Sequence, residues 1–252
     1  MTPPAATMDE YRRQIQQCAR ALALAHNEKV GSYLAGGFTL DHLKLFTDGN
    51  LDKRYQKLLD QVELLNDAFE NFDELVVEYV KTLPLAAYDT GCSDGERFLR
   101  WIGESQNPTA EQQDYIACQR SRHVVETVGR SKRLSHVRFQ EIWSLSSQLS
   151  GELDANPKLR VHLNPIRTWS TFQTSILLDE EASLPATVLF CACGDQIRTA
   201  VLEISGQTLV SELETIGPCT LAEWARFSAV YQRDGLVEFC RESAEIGLIA
   251  FG

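Results

Sequence analysis

Residues 188–204 read VLFCACGDQIRTAVLEI, two apolar runs that meet at Gly194-Asp195. A Gly-Asp pair between β-prone runs signals an antiparallel hairpin, because glycine supplies the positive φ that a tight turn needs. The runs are placed at Thr187–Cys193 and Ile197–Ile204. Cys191 and Cys193, two apart on a strand, then share a face. As metal ligands they would fill only half of a tetrahedral zinc site, and no Cys-x-x-Cys or His-x-x-x-His companion occurs in the chain. A small buried thiol in each position is the simpler reading. The stretch is a hairpin, and the chain around it is read from there.

Downstream, three short helices are expected. The first carries Leu209, Leu213 and Ile216 and stops at Gly217-Pro218. The second opens with Thr220-Leu221-Ala222-Glu223, a capping box, and buries Leu221 and Trp224, with Ser228 and Tyr231 on the same side. The third starts at Asp234 and carries Leu236, Phe239 and Cys240, and a last strand covers Gly247 to Phe251. Upstream, Arg167 to Leu177 is rich in β-prone residues. Strands followed by three compact helices give the layout of a small winged helix-turn-helix unit.

Before DANPKLRVHLNPIRTWS the period is helical instead. Tyr55, Leu58, Leu59, Val62, Leu65, Phe69, Phe72, Val76 and Tyr79 form one sustained stripe, with a break near Asn71-Phe72-Asp73 and an end at Pro84. Ser93 and Glu96 read as a capping box for a helix burying Phe98, Trp101 and Ile102, and Thr109 with Gln112 opens another. The fold class expected is α+β: a helical bundle over residues 1–155, then a winged helix-turn-helix-like domain over residues 156–252.

Composition narrows the function. The 252 residues carry a net charge of −11, which opposes binding to nucleic acid, whose affinity rests on clustered cations. No apolar run reaches the roughly 20 residues of a membrane span, and the N-terminus lacks the order of a secretory signal. Seven cysteines without a framework spacing fit a cytoplasmic protein with reduced thiols. The five histidines fall in no ligand pair or triad, and no phosphate loop, Gly-x-Ser-x-Gly elbow or His-Glu-x-x-His is present. The acids at 179–181 read as a solvated loop. One charge feature stands apart: between Arg120 and Arg138 lie six Lys or Arg against the single acid Glu126. It reads either as a docking surface for an acidic partner or as a solvated junction.

The stretch ELVVEYVKTLPLAAYDTGCSDGERFLRWI resembles the helix, proline, Gly turn, helix pattern of the partner proteins of multinuclear non-heme iron-dependent oxidative enzymes, which serve in ribosomal peptide natural-product biosynthesis. The second half, from the hairpin through GQTLVSELETIGPCTLAEWARF to EFCRESAEIGLIAF, is similar to the peptide-recognition elements of such pathways. The two resemblances span roughly residues 50 to 252, and the size and layout are most similar to the partner subunit of the 3-thiaglutamate pathway. The resemblance implies an accessory subunit without catalytic residues or metal of its own. It implies a hetero-oligomer with a TIM-barrel enzyme that holds the iron, and a bound precursor or carrier peptide whose cysteine is modified.

Under that reading the peptide adds as a strand along Ile197 to Ile204. Arg198, Thr199, Ala200, Val201 and Leu202 are the expected contacts, and Leu236, Phe239 and Cys240 form the opposing wall. Arg198 is assigned to an acidic residue of the peptide. Arg130, Lys132 and Arg133 are assigned to docking the enzyme. The alternative function is a helix-turn-helix transcriptional regulator, which the acids Asp234, Glu238, Glu242 and Glu245 on the third helix oppose. A free-standing thiol or metal enzyme is disfavoured by ligand count.

Overall fold

The structure, a computed structural model of the chain, describes residues 13, 40–82, 92–153, 155–156, 158–178, 182–228 and 233–252. The fold is mixed α+β, with eight α-helices and two three-stranded antiparallel sheets among the described residues. The chain divides into two compact units, 1–112 and 113–252. Pro84, Tyr231, the acids at 179–181 and most of residues 1–39 lie outside the described residues.

In the first unit, α1 (Leu40–Gln61) leads through a 3-10 turn (Glu63–Asp67) into α2 (Phe72–Thr82), and α3 (Asp94–Ser105) follows. Most of the stripe read from the sequence is core: Leu58, Val62, Leu65, Phe69, Phe72, Val76 and Tyr79 are buried, while Tyr55 and Leu59 are half-buried. The Ser93 hydroxyl accepts from Glu96 N and starts α3. A polar knot ties the three helices. Arg54 on α1 donates to both oxygens of Asp94 at 2.7 and 2.9 Å and to the Val80 carbonyl, and the Tyr79 hydroxyl donates to Asp94 at 2.9 Å. Burial and the Asp94 carboxylate hold the Tyr79 phenol well above its usual range. Removing one partner of such a buried pair leaves the other charge uncompensated.

The second unit begins within α4 (Ala110–Ser131) and continues with α5 (Arg133–Leu149), β1 (Arg160–Leu163), β2 (Arg167–Phe172), β3 (Ala186–Cys193) and β4 (Gln196–Val201). Then come α6 (Ile204–Ile216), β5 (Cys219–Thr220), α7 (Leu221–Phe227), α8 (Arg233–Glu245) and β6 (Ile249–Phe251). The expected division at residue 155 is therefore corrected, because α4 and α5 pack on strands. Val125 and Val128 of α4 cover Phe172, Val188 and Phe190. Trp143 and Ser146 of α5 bond the Ala244 carbonyl and the Phe251 N–H. Helical periodicity marks an apolar stripe without saying what the stripe meets.

One sheet is the meander β2-β3-β4; the other has the order β5-β1-β6. The final strand thus pairs with β1, a strand the sequence reading did not place. Buried Asn164 links the two sheets: its amide donates to the Ala192 and Gly247 carbonyls, and its oxygen accepts from Ile166 N. Gly247 has φ 75°, and a Cβ there would stand 2.9 Å from Cys193 Sγ, so conformation and space both require glycine. Buried Asp114 on α4 accepts from Gln173 N, Thr174 N and Thr174 Oγ1, fixing the turn after β2. The Thr220–Glu223 capping box forms as read, and Trp224 is fully buried behind it.

Candidate functional site

Strand β4 lies at one edge of its sheet and pairs with β3 alone among the described residues. The register opposes Cys193 to Gln196, Cys191 to Arg198 and Leu189 to Ala200. Leu202 N donates to the Thr187 carbonyl at 3.0 Å. Antiparallel pairs alternate between bonded and non-bonded, so Gln196, Arg198, Ala200 and Leu202 turn their backbone groups toward β3. Ile197, Thr199 and Val201 turn theirs outward. Among the described residues no strand pairs with these three N–H and three C=O groups, which form the template that strand addition requires. A two-residue turn fixes this parity, so the sequence already held the signal.

The strand ends at Val201, and Ile204, placed in the strand by the sequence reading, opens α6 instead. Paired residues share a face. Leu189, Cys191, Arg198 and Ala200 lie on one, and Val188, Phe190, Ile197 and Thr199 on the other. Leu189 joins the core of the C-terminal helices, while Val188, Phe190 and Ile197 join the α4 cluster. Both faces are thus backed by helices while the edge stays open.

Helix α8 borders the first face. Phe239 stands near Leu202 at one end, with a Cβ at Gly206 meeting both side chains at 3.5–3.6 Å. At the other end, Arg198 Nη1 donates to the Glu245 carbonyl at 2.6 Å, and its guanidinium lies over Trp143. Two expected roles change, and a third residue gains a partner within the fold. Arg198 caps the C-terminus of α8, where a cation complements the free carbonyls. Leu236 and Cys240 are each 0% exposed and belong to the core, so neither forms a wall for a peptide. Phe239 is half-buried with its ring edge-on to Trp224. Truncating it would disturb packing as well as any groove.

The cysteine pair lies on the central strand, with Cys191 and Cys193 both buried. Burial, reinforced by Cys193, pushes the Cys191 thiol up to about 12, and burial also raises Cys193, Cys219 and Cys240. Such thiols stay protonated near neutral pH and are poor nucleophiles. No group of three or more His, Cys, Asp or Glu able to hold a metal occurs among the described residues. No helix among them is long and apolar enough to cross a membrane.

The basic island falls in the same unit as the β4 edge, at the α4–α5 junction. Arg120, Arg130, Lys132, Arg133 and Arg138 are exposed, and Lys132 Nζ reaches the Pro165 carbonyl. Leu134 and Val137 are exposed among them, a combination the sequence reading did not single out. Between α4 and the hairpin end lies an open cavity, also missed, although Arg122, Glu126 and Gly129 at helical spacing are its sequence trace. Comparison with protein-family models, curated proteins and solved structures finds no match for this chain.

Proposed function

We propose that this chain is a non-catalytic partner subunit that binds an extended precursor peptide along β4 and presents the peptide's cysteine to a multinuclear iron oxidative enzyme. The observation that carries the peptide-binding part is the open row of backbone groups at Ile197, Thr199 and Val201. β2 is the other edge of the sheet, but β4 is favoured because α8 borders it and a cavity adjoins its first residues. The enzyme partner and its iron rest on the resemblance. The cations Arg130, Lys132 and Arg133, with Leu134 and Val137 among them, suit an acidic docking surface. On this reading one unit, 113–252, carries both the peptide edge and the docking island. A DNA-reading role is disfavoured by the exposed acids Asp234, Glu238, Glu242 and Glu245 on α8, which would repel phosphate.

Co-expression with the products of neighbouring genes, capture through this chain and iron analysis of the complex test the assignment. A captured peptide is then titrated into wild type and Val201→Pro by calorimetry. Binding lost in a folded Val201→Pro supports the edge; wild-type affinity places the peptide elsewhere. Charge reversal at Arg130, Lys132 and Arg133 should weaken capture of the enzyme, most at low salt. Unchanged capture at every salt concentration would reduce the island to a solvated surface.

A further inference from the structure

The open cavity beside β4 has a volume of about 520 Å³, within the size range of ligand-binding clefts. Its apolar lining is Val125 from α4, Ile166, Ala192 from β3 and Ile197 from β4. Arg122, Glu126, His136, Asp195 and Gln196 supply its polar lining. All of these residues lie in the second unit.

Parity connects the cavity to the edge. A strand added to β4 would pair one of its residues with Ile197, whose backbone groups point outward. Directly paired residues send their side chains to the same face. Ile197 shares its face with Ala192 and lies in the α4 cluster, so that incoming side chain is directed to the face where the cavity lies.

We propose that this cavity is a specificity pocket for one large aromatic side chain of the added strand, an inference that rests on the strand-addition reading. The chemistry selects the guest. A lone cation or anion meets both signs at the rim, since Arg122 stands among Glu126 and Asp195, so charge gives little discrimination. The apolar lining rewards buried area, and an aromatic ring supplies much of it with few rotatable bonds. A guanidinium at the rim also suits the face of a ring. A flexible aliphatic or lysine side chain would lose more rotamer freedom for less contact.

The test uses the isotope-labelled whole chain and amide NMR, with N-acetyl-tryptophanamide, N-acetyl-leucinamide and N-acetyl-lysinamide as probes. The tryptophan amide should shift the Gly129, Ala192 and Gly194 amides saturably, and the other two should bind about tenfold more weakly. Filling the cavity from separate walls, with Gly129→Leu and Ala192→Met, should each weaken the tryptophan amide by about tenfold, equivalent to about 1.4 kcal/mol. A Cβ at Gly129 meets only Ile166 Cδ1 at 3.5 Å, an ordinary contact, and Ala192→Met carries the test if the leucine variant fails to fold. The proposal is overturned if the tryptophan amide gives no saturable shift at those amides. It is equally overturned if leucine or lysine amide binds as well, or if a folded filled variant binds undiminished. Val201→Pro should leave the tryptophan amide unaffected, because a single residue needs no backbone row. A silent pocket with proline-sensitive peptide binding therefore removes this proposal alone, whereas a working pocket with proline-insensitive peptide binding removes strand addition alone.

Discussion

Two adjacent proline substitutions on β4 should differ sharply in cost. Ala200 turns its N–H toward β3, where it faces Leu189, which is 0% exposed. Ala200→Pro removes that donor and leaves a buried carbonyl unsatisfied, a loss of about 1–3 kcal/mol. Thr199 turns its N–H outward, so Thr199→Pro breaks no bond within the sheet. The strain of proline's fixed φ in a strand is common to both variants and cancels in the comparison. Thr199→Pro should therefore be the less destabilised of the two variants, by about 1–3 kcal/mol. With a urea dependence of about 2 kcal/mol/M, a difference of about 2 kcal/mol separates the midpoints by about 1 M. Urea unfolding followed by circular dichroism reads this directly. Equal midpoints for the two variants would show that the outward row is used within the fold, and the case for strand addition would fail with it.

Asp114→Ala should cost about 3 kcal/mol or more, since it strips the acceptor from two backbone N–H groups and a hydroxyl at residues 173–174; calorimetric unfolding checks it, and a loss under about 1 kcal/mol would contradict the buried geometry. Alkylation at mildly alkaline pH should label half-buried Cys92 well before Cys191, Cys193, Cys219 or Cys240, as peptide mapping by mass spectrometry would show. His136 and His162 are both held below 6.5, chiefly by burial. The unfolded chain therefore binds more protons below that pH, and stability should fall as pH drops from about 6.5 toward the folded values. Replacing both by glutamine should flatten that part of the stability profile, and an unchanged slope would assign it to carboxylates instead.

Local chemistry was legible because it acts over short stretches of chain. Gly194-Asp195 fixed the hairpin, Gly217-Pro218 ended α6, and Thr220 with Glu223 capped α7 as read. The apolar stripe from Leu58 to Tyr79 was buried except at half-buried Leu59, although a 3-10 turn divides it. The edge position of β4 and the burial of its neighbouring cysteines also followed from the hairpin. What each stripe packs against was a different matter. Periodicity gives α4 and α5 an inward face, yet only long-range contact puts Val125 on Phe190 and Ser146 on Phe251, moving both helices from the first unit to the second. Leu236 and Cys240 read as groove residues from spacing alone, but the core of α6, α7 and β6 encloses them. Arg198 was assigned to an acidic residue of the peptide, and nothing local showed that the end of α8 would come beside it. A turn or a cap is decided by hydrogen bonds within a few residues, whereas a partner 47 residues away, as Glu245 is from Arg198, is chosen only when apolar burial brings the elements together.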